Sequence, residues 1–240
     1  EIEVSERGFT CIIGVDEAGR GPIAGPVVAA ACHIPLDVDL EKEKGIILKD
    51  SKKLSERKRE EIFEELRSHP QIMCSWAVIP HNRIDKINIL EATFEAMDEA
   101  VSKLARTPDY VLVDGNMVPK AWTATHKKTK KGIRSSGDSD GSLPNKVPPF
   151  HAEPIVKGDS TCVAIAAASI VAKVVRDRIM LELDQQYPTY GFKAHKGYPT
   201  KKHLEELRAS GPSPVHRRSY APVYRAMGIV AGDDASAGED

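Results

Sequence analysis

Two adjacent carboxylates, Asp16 and Glu17, follow an apolar run at 11–15, and a Gly19-Arg20-Gly21-Pro22 turn follows them at once. Neighbouring acids at a strand end repel each other unless a divalent metal ion, a shared proton or a basic side chain sits between them. The glycines let the backbone come close to a ligand, and Arg20 offers a planar fork of donors suited to phosphate. Two more acids stand where core elements should end: Asp114 closes an apolar run at 110–113, and Asp159 precedes a small, apolar stretch at 162–172. Each acid alone has an ordinary reading. Asp16-Glu17 reads as a solvated turn, Asp114-Gly115 as a strand-to-turn dipeptide, and Asp159 before Ser160-Thr161 as a helix N-cap. Together they imply more, because strand ends on one edge of a sheet converge. Four carboxylates in one small volume suit Mg²⁺ or Mn²⁺. Two such ions about 3.5–4 Å apart can hold an attacking water and a leaving oxygen in line across a phosphodiester.

One geometric tension accompanies this reading. Successive side chains of a regular strand point to opposite faces, so Asp16 and Glu17 share a site only if the strand ends or bulges at Asp16. Two further groups suit a nucleic-acid ligand. His195-Lys196-Gly197-Tyr198-Pro199 sets an aromatic ring beside basic side chains, as sugar or base stacking requires. Ser51-Lys52-Lys53 offers donors for a phosphate. The ordinary alternatives are a solvated basic loop with Tyr198 packed inward, and a solvated Lys-Lys pair. Cys32-His33 has no partner at zinc spacing, and no phosphate-loop or dinucleotide-binding glycine motif occurs.

The elements that must position these groups follow from periodicity. Residues 11–15 and 26–34 are apolar enough for interior strands of a covered sheet. Ser55 opens a helix to about 68, residues 72–79 form a third strand closed by Pro80, and 88–106 form an amphipathic helix. A strand at 110–113 and a short returning strand at 154–157 complete the sheet. The Asp159-Ser160-Thr161 cap leads a helix to about 183, whose small apolar first half signals burial and close backbone approach. Shorter helices are expected at 200–209 and 220–229. Residues 117–152 carry Lys127-Lys128-Thr129-Lys130-Lys131 and Pro144, Pro148 and Pro149, and read as a disordered basic insertion. Residues 231–240 read as a disordered acidic tail.

At 240 residues, 41% hydrophobic and 29% charged, the composition suits one α/β domain. A formal net charge of −1 counts against a uniformly basic nucleic-acid surface, although positive charge gathers at 49–53, 127–134, 193–203 and 216–218. The four cysteines lie far apart and read as buried free thiols of a reducing compartment. No apolar run reaches the roughly 18–20 residues of a membrane span.

Six motifs in order carry a resemblance. Val15-Asp16-Glu17-Ala18-Gly19-Arg20-Gly21-Pro22, Asp50-Ser51-Lys52-Lys53-Leu54-Ser55, Val113-Asp114-Gly115, Val156-Lys157-Gly158-Asp159, Ala167-Ala168-Ser169-Ile170-Val171-Ala172-Lys173 and His195-Lys196-Gly197-Tyr198-Pro199-Thr200 resemble ribonuclease HII in its single-chain bacterial-type form. The resemblance implies an α/β ribonuclease H-like fold over about 9–230, a mixed five-stranded sheet flanked by helices, with a helical C-terminal part from about 185. It implies a monomeric endonuclease cutting RNA–DNA hybrids and duplex DNA with embedded ribonucleotides, leaving 3′-hydroxyl and 5′-phosphate ends. Asp16, Glu17, Asp114 and Asp159 would be its catalytic, metal-binding acids. Gly19, Arg20 and Gly21 would embrace the ribonucleotide and Tyr198 pack on its sugar, with Ser51, Lys52 and Lys196 as further substrate contacts. The compartment would be the cytoplasm of a bacterium, or the nucleus or an organelle of a nucleated cell. The alternatives are another nuclease or strand-transfer enzyme of the same fold, and an inactive hybrid-binding module. The stretch 117–152 departs from the family pattern by its length.

Overall fold

The computed structural model describes residues 1–48, 54–123 and 150–228. Its centre is a mixed five-stranded sheet in the order β3-β2-β1-β4-β5. The strands are β1 (Ile12–Ala18), β2 (Val27–His33), β3 (Met73–Ile79), β4 (Tyr110–Asp114) and β5 (His151–Ile155). β1, β4 and β5 run parallel, whereas β2 is antiparallel to both β1 and β3. All of β2 is buried, as a strand covered on both faces requires. Four helices precede β4: α1 (Ile2–Glu6), α2 (Leu40–Lys44), α3 (Glu56–Ser68) and α4 (His81–Ser102). α5 (Lys120–Thr123) lies between β4 and β5, and α6 (Gly158–Thr161) leads into the long α7 (Val163–Gln186). The C-terminal part holds α8 (Phe192–His195), α9 (Lys201–Ser210) and α10 (Ala221–Ala226).

α3 and α7 cover one face of the sheet, where Phe63, Leu66, Ile170 and Val174 pack on Val28 and Ala30. α4 covers the other face, where Ala96 and Met97 pack on Val15 and Ala29. The small residues at the start of α7 have a direct cause. A Cβ on Gly14 would stand 2.1 Å from the Ile165 nitrogen and 2.2 Å from the Ala164 carbonyl carbon. The helix backbone therefore lies directly on β1, which neither a larger residue at 14 nor a bulky helix face would allow.

Several elements differ from expectation. β1 does not stop at Asp16; its pairing with β2 continues without a bulge from Gly14↔Cys32 to Ala18↔Val28. β5 is His151–Ile155, not 154–157, and Lys157 beyond it has φ 56. α4 starts at His81 and turns sharply at Asn88 (φ 66, ψ 168). There the Asn88 carboxamide oxygen accepts the Leu90 and Glu91 N–H groups at 2.9 and 3.1 Å, capping the half that periodicity predicted. Asp159 does not cap the long helix, since it lies within α6 and α7 begins only after Cys162. The Glu1 carboxylate instead accepts the Ala164 N–H at 2.6 Å.

Both ends of the 117–152 stretch are folded. Trp122 is buried, donates to Asp98 at 2.8 Å, and meets Phe150 edge-on at 5.4 Å between centroids. Residues 124–149, with the lysine run, and the acidic tail lie outside the described residues. Cys11, Cys32 and Cys162 are buried free thiols and Cys74 is half-buried. Among the described residues no helix is long and apolar enough to cross a membrane.

Two stability predictions follow from this packing. Gly14→Ala should lower stability by about 3 kcal/mol, the overpacking scale for a rigid core, read as the denaturant midpoint. The buried His203 and His216 are held down from 6.5, by burial first, to about 4 and about 3. Between those values and 6.5 the unfolded chain binds more protons, so stability is full above that pH and falls as pH drops below it. In an Asp16→Asn, Glu17→Gln background, which removes the raised carboxylates that act in the opposite direction, the denaturant midpoint should therefore be lower at pH 5 than at pH 8; an unchanged midpoint there would contradict neutral burial.

Candidate active site

The parallel strands β1, β4 and β5 bring their carboxyl ends to one edge of the sheet, where an α/β fold leaves a crevice. A cleft of about 420 Å³ opens there, bordered by Asp16, Glu17 and Asp114. Asp16 is buried, and its carboxylate accepts the Glu17 N–H at 2.7 Å. Asp159 is also buried; its N–H donates to the Asp114 carboxylate at 3.3 Å. Asp159 thus stands one step behind the three acids that border the cleft.

The strand continues through Asp16, yet both neighbouring acids reach the cleft. Alternation sets Asp16 with Gly14 on the α7 face and Glu17 with Val15 on the α4 face. The last β1–β4 pair is Val15↔Val113 and β4 ends at Asp114, so among the described residues no β4 residue stands beside Glu17. At this open edge the longer Glu17 side chain borders the same cleft from the other face. The shared site arises from the stagger of two parallel strands, not from a break in one.

The electrostatics of the trio fit a divalent cation. Burial, then the charges of Glu17 and Asp114, push Asp16 well above the usual carboxylate range; a Ser169 hydrogen bond offsets this in part. Burial also raises Glu17, opposed by its Arg20 partner at 3.2 Å. Among the described residues that arginine is the one cation paired with this trio. An all-oxygen donor set short of positive charge suits Mg²⁺ or Mn²⁺. Among the described residues no three acids, histidines or cysteines are grouped closely enough to hold a metal ion by themselves.

The Gly-Arg-Gly turn borders the cleft beside the acids. It is held from behind by two fully buried arginines, Arg176 and Arg217. Arg217 donates to the carbonyls of Gly19 (2.6 Å), Arg20 (3.1 Å), Gly25 (3.0 Å) and Pro26 (3.1 Å). Arg176 donates to Pro26 at 3.0 Å and Ala24 at 3.3 Å. Burial, then the like charge of Arg217, lowers Arg176 to about 10, which leaves it charged at neutral pH. Gly19 has φ 101, and a Cβ there would stand 2.1 Å from the Arg176 Nε. The turn requires glycine for both reasons.

The opposite wall comes from α7 and α3. Ser169, Lys173 and Arg176, spaced four and three apart on α7, border the cleft together with Arg59 of α3. Lys173 pairs with the buried Asp177 at 2.7 Å. These four residues and Arg217 were given no site role from the sequence, although Ser169 and Lys173 stand in one of the six motifs. The signal was available for three of them, as a polar stripe at helical spacing inside an otherwise apolar helix. Tyr198 is half-exposed and borders the cleft, its ring against Gly21. Lys196 does not border the cleft; its ammonium donates to the Lys193 carbonyl at 2.9 Å and lies 3.6 Å from Glu56. Ser51 and Lys52 lie outside the described residues.

The sequence pattern of ribonuclease HII matches residues 13–223. The chain belongs to the ribonuclease HII family. A ribonuclease HII of Chlamydia trachomatis serovar D is 44% identical over 232 residues, 95% of this chain and 89% of that protein. One from Acholeplasma laidlawii is 44% identical over 225 residues, 92% of this chain and 93% of that protein. The crystal structure of ribonuclease H2 from Pyrococcus horikoshii OT3 superposes with a TM-score of 0.67 at 27% identity, covering 90% of this chain and 97% of that one. As a ribonuclease HII family member the chain is a nuclease, a hydrolase of ribonuclease H type, and the family fold expected from the motifs is the fold observed.

Gly19→Ala should cut nuclease activity by about a hundred-fold, the scale of a displaced positioning group, and lower the melting temperature. Activity within two-fold of the unaltered chain would show that the turn accommodates a side chain against Arg176.

Proposed function

We propose that this chain is an endoribonuclease that cleaves the RNA strand of RNA–DNA hybrids and incises 5′ of ribonucleotides embedded in duplex DNA, leaving 3′-hydroxyl and 5′-phosphate ends. The observation supporting this reading is that the acids Asp16, Glu17 and Asp114 share one cleft with the Gly19–Gly21 turn and Tyr198. A nuclease indifferent to the sugar needs no close-fitting wall beside its acids. The 2′-hydroxyl is what separates RNA from DNA at a single residue, and a rigid backbone turn facing a ring is suited to reading it.

In this reading Asp16, Glu17 and Asp114, with Asp159 behind them, would hold two divalent ions, Mg²⁺ or Mn²⁺, which would supply water activation and charge neutralisation at the scissile phosphate. The remaining work belongs to the chain's own side chains. Asp159 orients Asp114 through its backbone N–H, and Ser169 steadies the Asp16 carboxylate. Arg20, bonded to Glu17 through one nitrogen, turns the rest of its donor fork to a phosphate. Gly19 and Gly21 admit the ribose edge, and Tyr198 packs on the sugar. Arg59 and Lys173 line the far wall, where they attract the backbone in a salt-dependent manner.

The deciding assay offers a duplex carrying one ribonucleotide with Mg²⁺, and the same duplex in all-DNA form. The first should be cut 5′ of the ribonucleotide and the second left intact. Asp16→Asn and Asp114→Asn should each lower the rate by about a thousand-fold, the scale of lost transition-state electrostatics. Equal cutting of both duplexes would point to a nuclease without sugar discrimination, and tight binding without turnover to a silent hybrid-binding module.

A further inference from the structure

The segment at 211–220 runs behind the cleft and bonds to both walls that face the sugar. Gly25 donates its N–H to Val215 at 2.9 Å, Arg217 donates its N–H to Ile23 at 2.8 Å, and His216 bridges to Ala24. Two consecutive side chains then leave the segment in different directions. Arg217 holds the carbonyls of the Gly-Arg-Gly turn, as described. His216 Nε2 lies 3.0 Å from His203 Nε2, and His203 Nδ1 lies 2.8 Å from the Tyr198 carbonyl oxygen.

The proton positions along this chain follow from its far end. The Ser213 N–H donates to His216 Nδ1 at 3.0 Å, so Nδ1 is the acceptor there, and the Ser213 hydroxyl lies 2.7 Å from the same nitrogen. A neutral imidazole carries one N–H, so His216 donates from Nε2 to His203 Nε2. His203 must then carry its proton on Nδ1, which donates to the Tyr198 carbonyl. Each link has one solution when both rings are neutral, and burial holds both far below the ordinary histidine range.

His195 supports the same loop. It stacks on His203 at 4.2 Å between centroids and accepts the Gly197 N–H at 3.2 Å. The two walls also touch directly, through the Ile23 N–H and the Gly197 carbonyl at 2.9 Å. The Tyr198 ring stands so close to the turn that a Cβ on Gly21 would lie 3.3 Å from its Cε1.

We propose that the consecutive pair His216–Arg217 is the positioning element that sets the gap between Tyr198 and the Gly-Arg-Gly turn, Arg217 holding one wall and the His216–His203 chain the other, and thereby sets how sharply the cleft discriminates ribose from deoxyribose. The inference rests on the reading of this cleft as a ribonucleotide site. A histidine pair that served stability alone would shift melting without changing the preference between substrates.

The test compares kcat/KM on a duplex with one ribonucleotide against the residual kcat/KM on the same duplex in all-DNA form. Asparagine carries its amide where His203 has Nδ1, and glutamine where it has Nε2, so the two replacements are matched in polarity but differ in reach to Tyr198. Glutamine loses the Tyr198 carbonyl and asparagine loses His216, each breaking one link of the chain, so His203→Gln and His203→Asn should each lower the ratio by about ten-fold, the scale of one misplaced contact. In a Tyr198→Ala background, His203→Gln should add less than about a two-fold change, as coupled residues do. Arg217→Lys, which replaces a fork with a point donor, should lower the ratio too. An unchanged ratio in a folded His203→Gln, His203→Asn or Arg217→Lys protein, or losses that multiply with Tyr198→Ala, would each overturn the proposal. Should these variants fail to fold, nitrogen NMR of the unaltered chain with labelled histidine reads the tautomers directly. His203 protonated on Nδ1 and His216 on Nε2 is the expected result, and the reverse tautomer at His203 overturns it. An unaltered chain that cuts neither substrate would sink the functional reading instead, and the tautomer measurement would still stand.

Discussion

The backbone of α7 lies against β1 at Gly14, where no side chain fits between them. Much of the site depends on that contact. With the helix at this distance, residues spaced along the same α7 face reach the carboxyl end of β1: Ser169 meets Asp16, Lys173 and Arg176 border the cleft, and Arg176 reaches the carbonyls of Ala24 and Pro26. A helix held even a side chain's width further away would leave Asp16 buried with fewer partners and the turn without one of its two supports. Close packing in the core is therefore also the means of alignment at the edge.

Charge is distributed around this contact in two layers. In front are carboxylates whose charges raise the proton affinity of Asp16 and Glu17, which makes the cleft receptive to cations. Behind the turn are two guanidinium groups buried close together, a costly arrangement unless hydrogen bonds satisfy them. Six bonds to backbone carbonyls between residues 19 and 26 do so, and Arg217 also donates to the Tyr220 hydroxyl at 3.0 Å. The same bonds leave the turn little freedom. A rigid turn loses little entropy when a ligand seats against it, and preorganised polar groups are the ones that discriminate best.

The C-terminal part is small and polar for a core, with Tyr190, Phe192 and three histidines stacked or edge-on to one another. Its buried polar atoms are all satisfied among the described residues. Such a network tolerates few alternative arrangements, which suits a part whose position determines where Tyr198 stands.

Much of this was present in the chain itself. The apolar runs specified the strands to within a few residues, because burial on both faces leaves no polar alternation. The acids at 16, 17 and 114, the two glycines and Tyr198 were identifiable from residue type and neighbours, and they do share one cleft. Other features were decided only by the fold. Glu17 joins Asp16 because β4 ends short of it, a matter of register between strands about a hundred residues apart in the chain. Asp159 stands behind Asp114, and Lys196 turns toward Glu56, because of where α6 and α3 pack. Arg217 stood only among the basic residues gathered at 216–218, yet it bonds to Gly19 across 198 positions of sequence. Periodicity and local spacing record which side of an element is buried and where it ends. Which distant carbonyl a buried arginine meets depends on the relative placement of whole elements, and short-range pattern carries no trace of that.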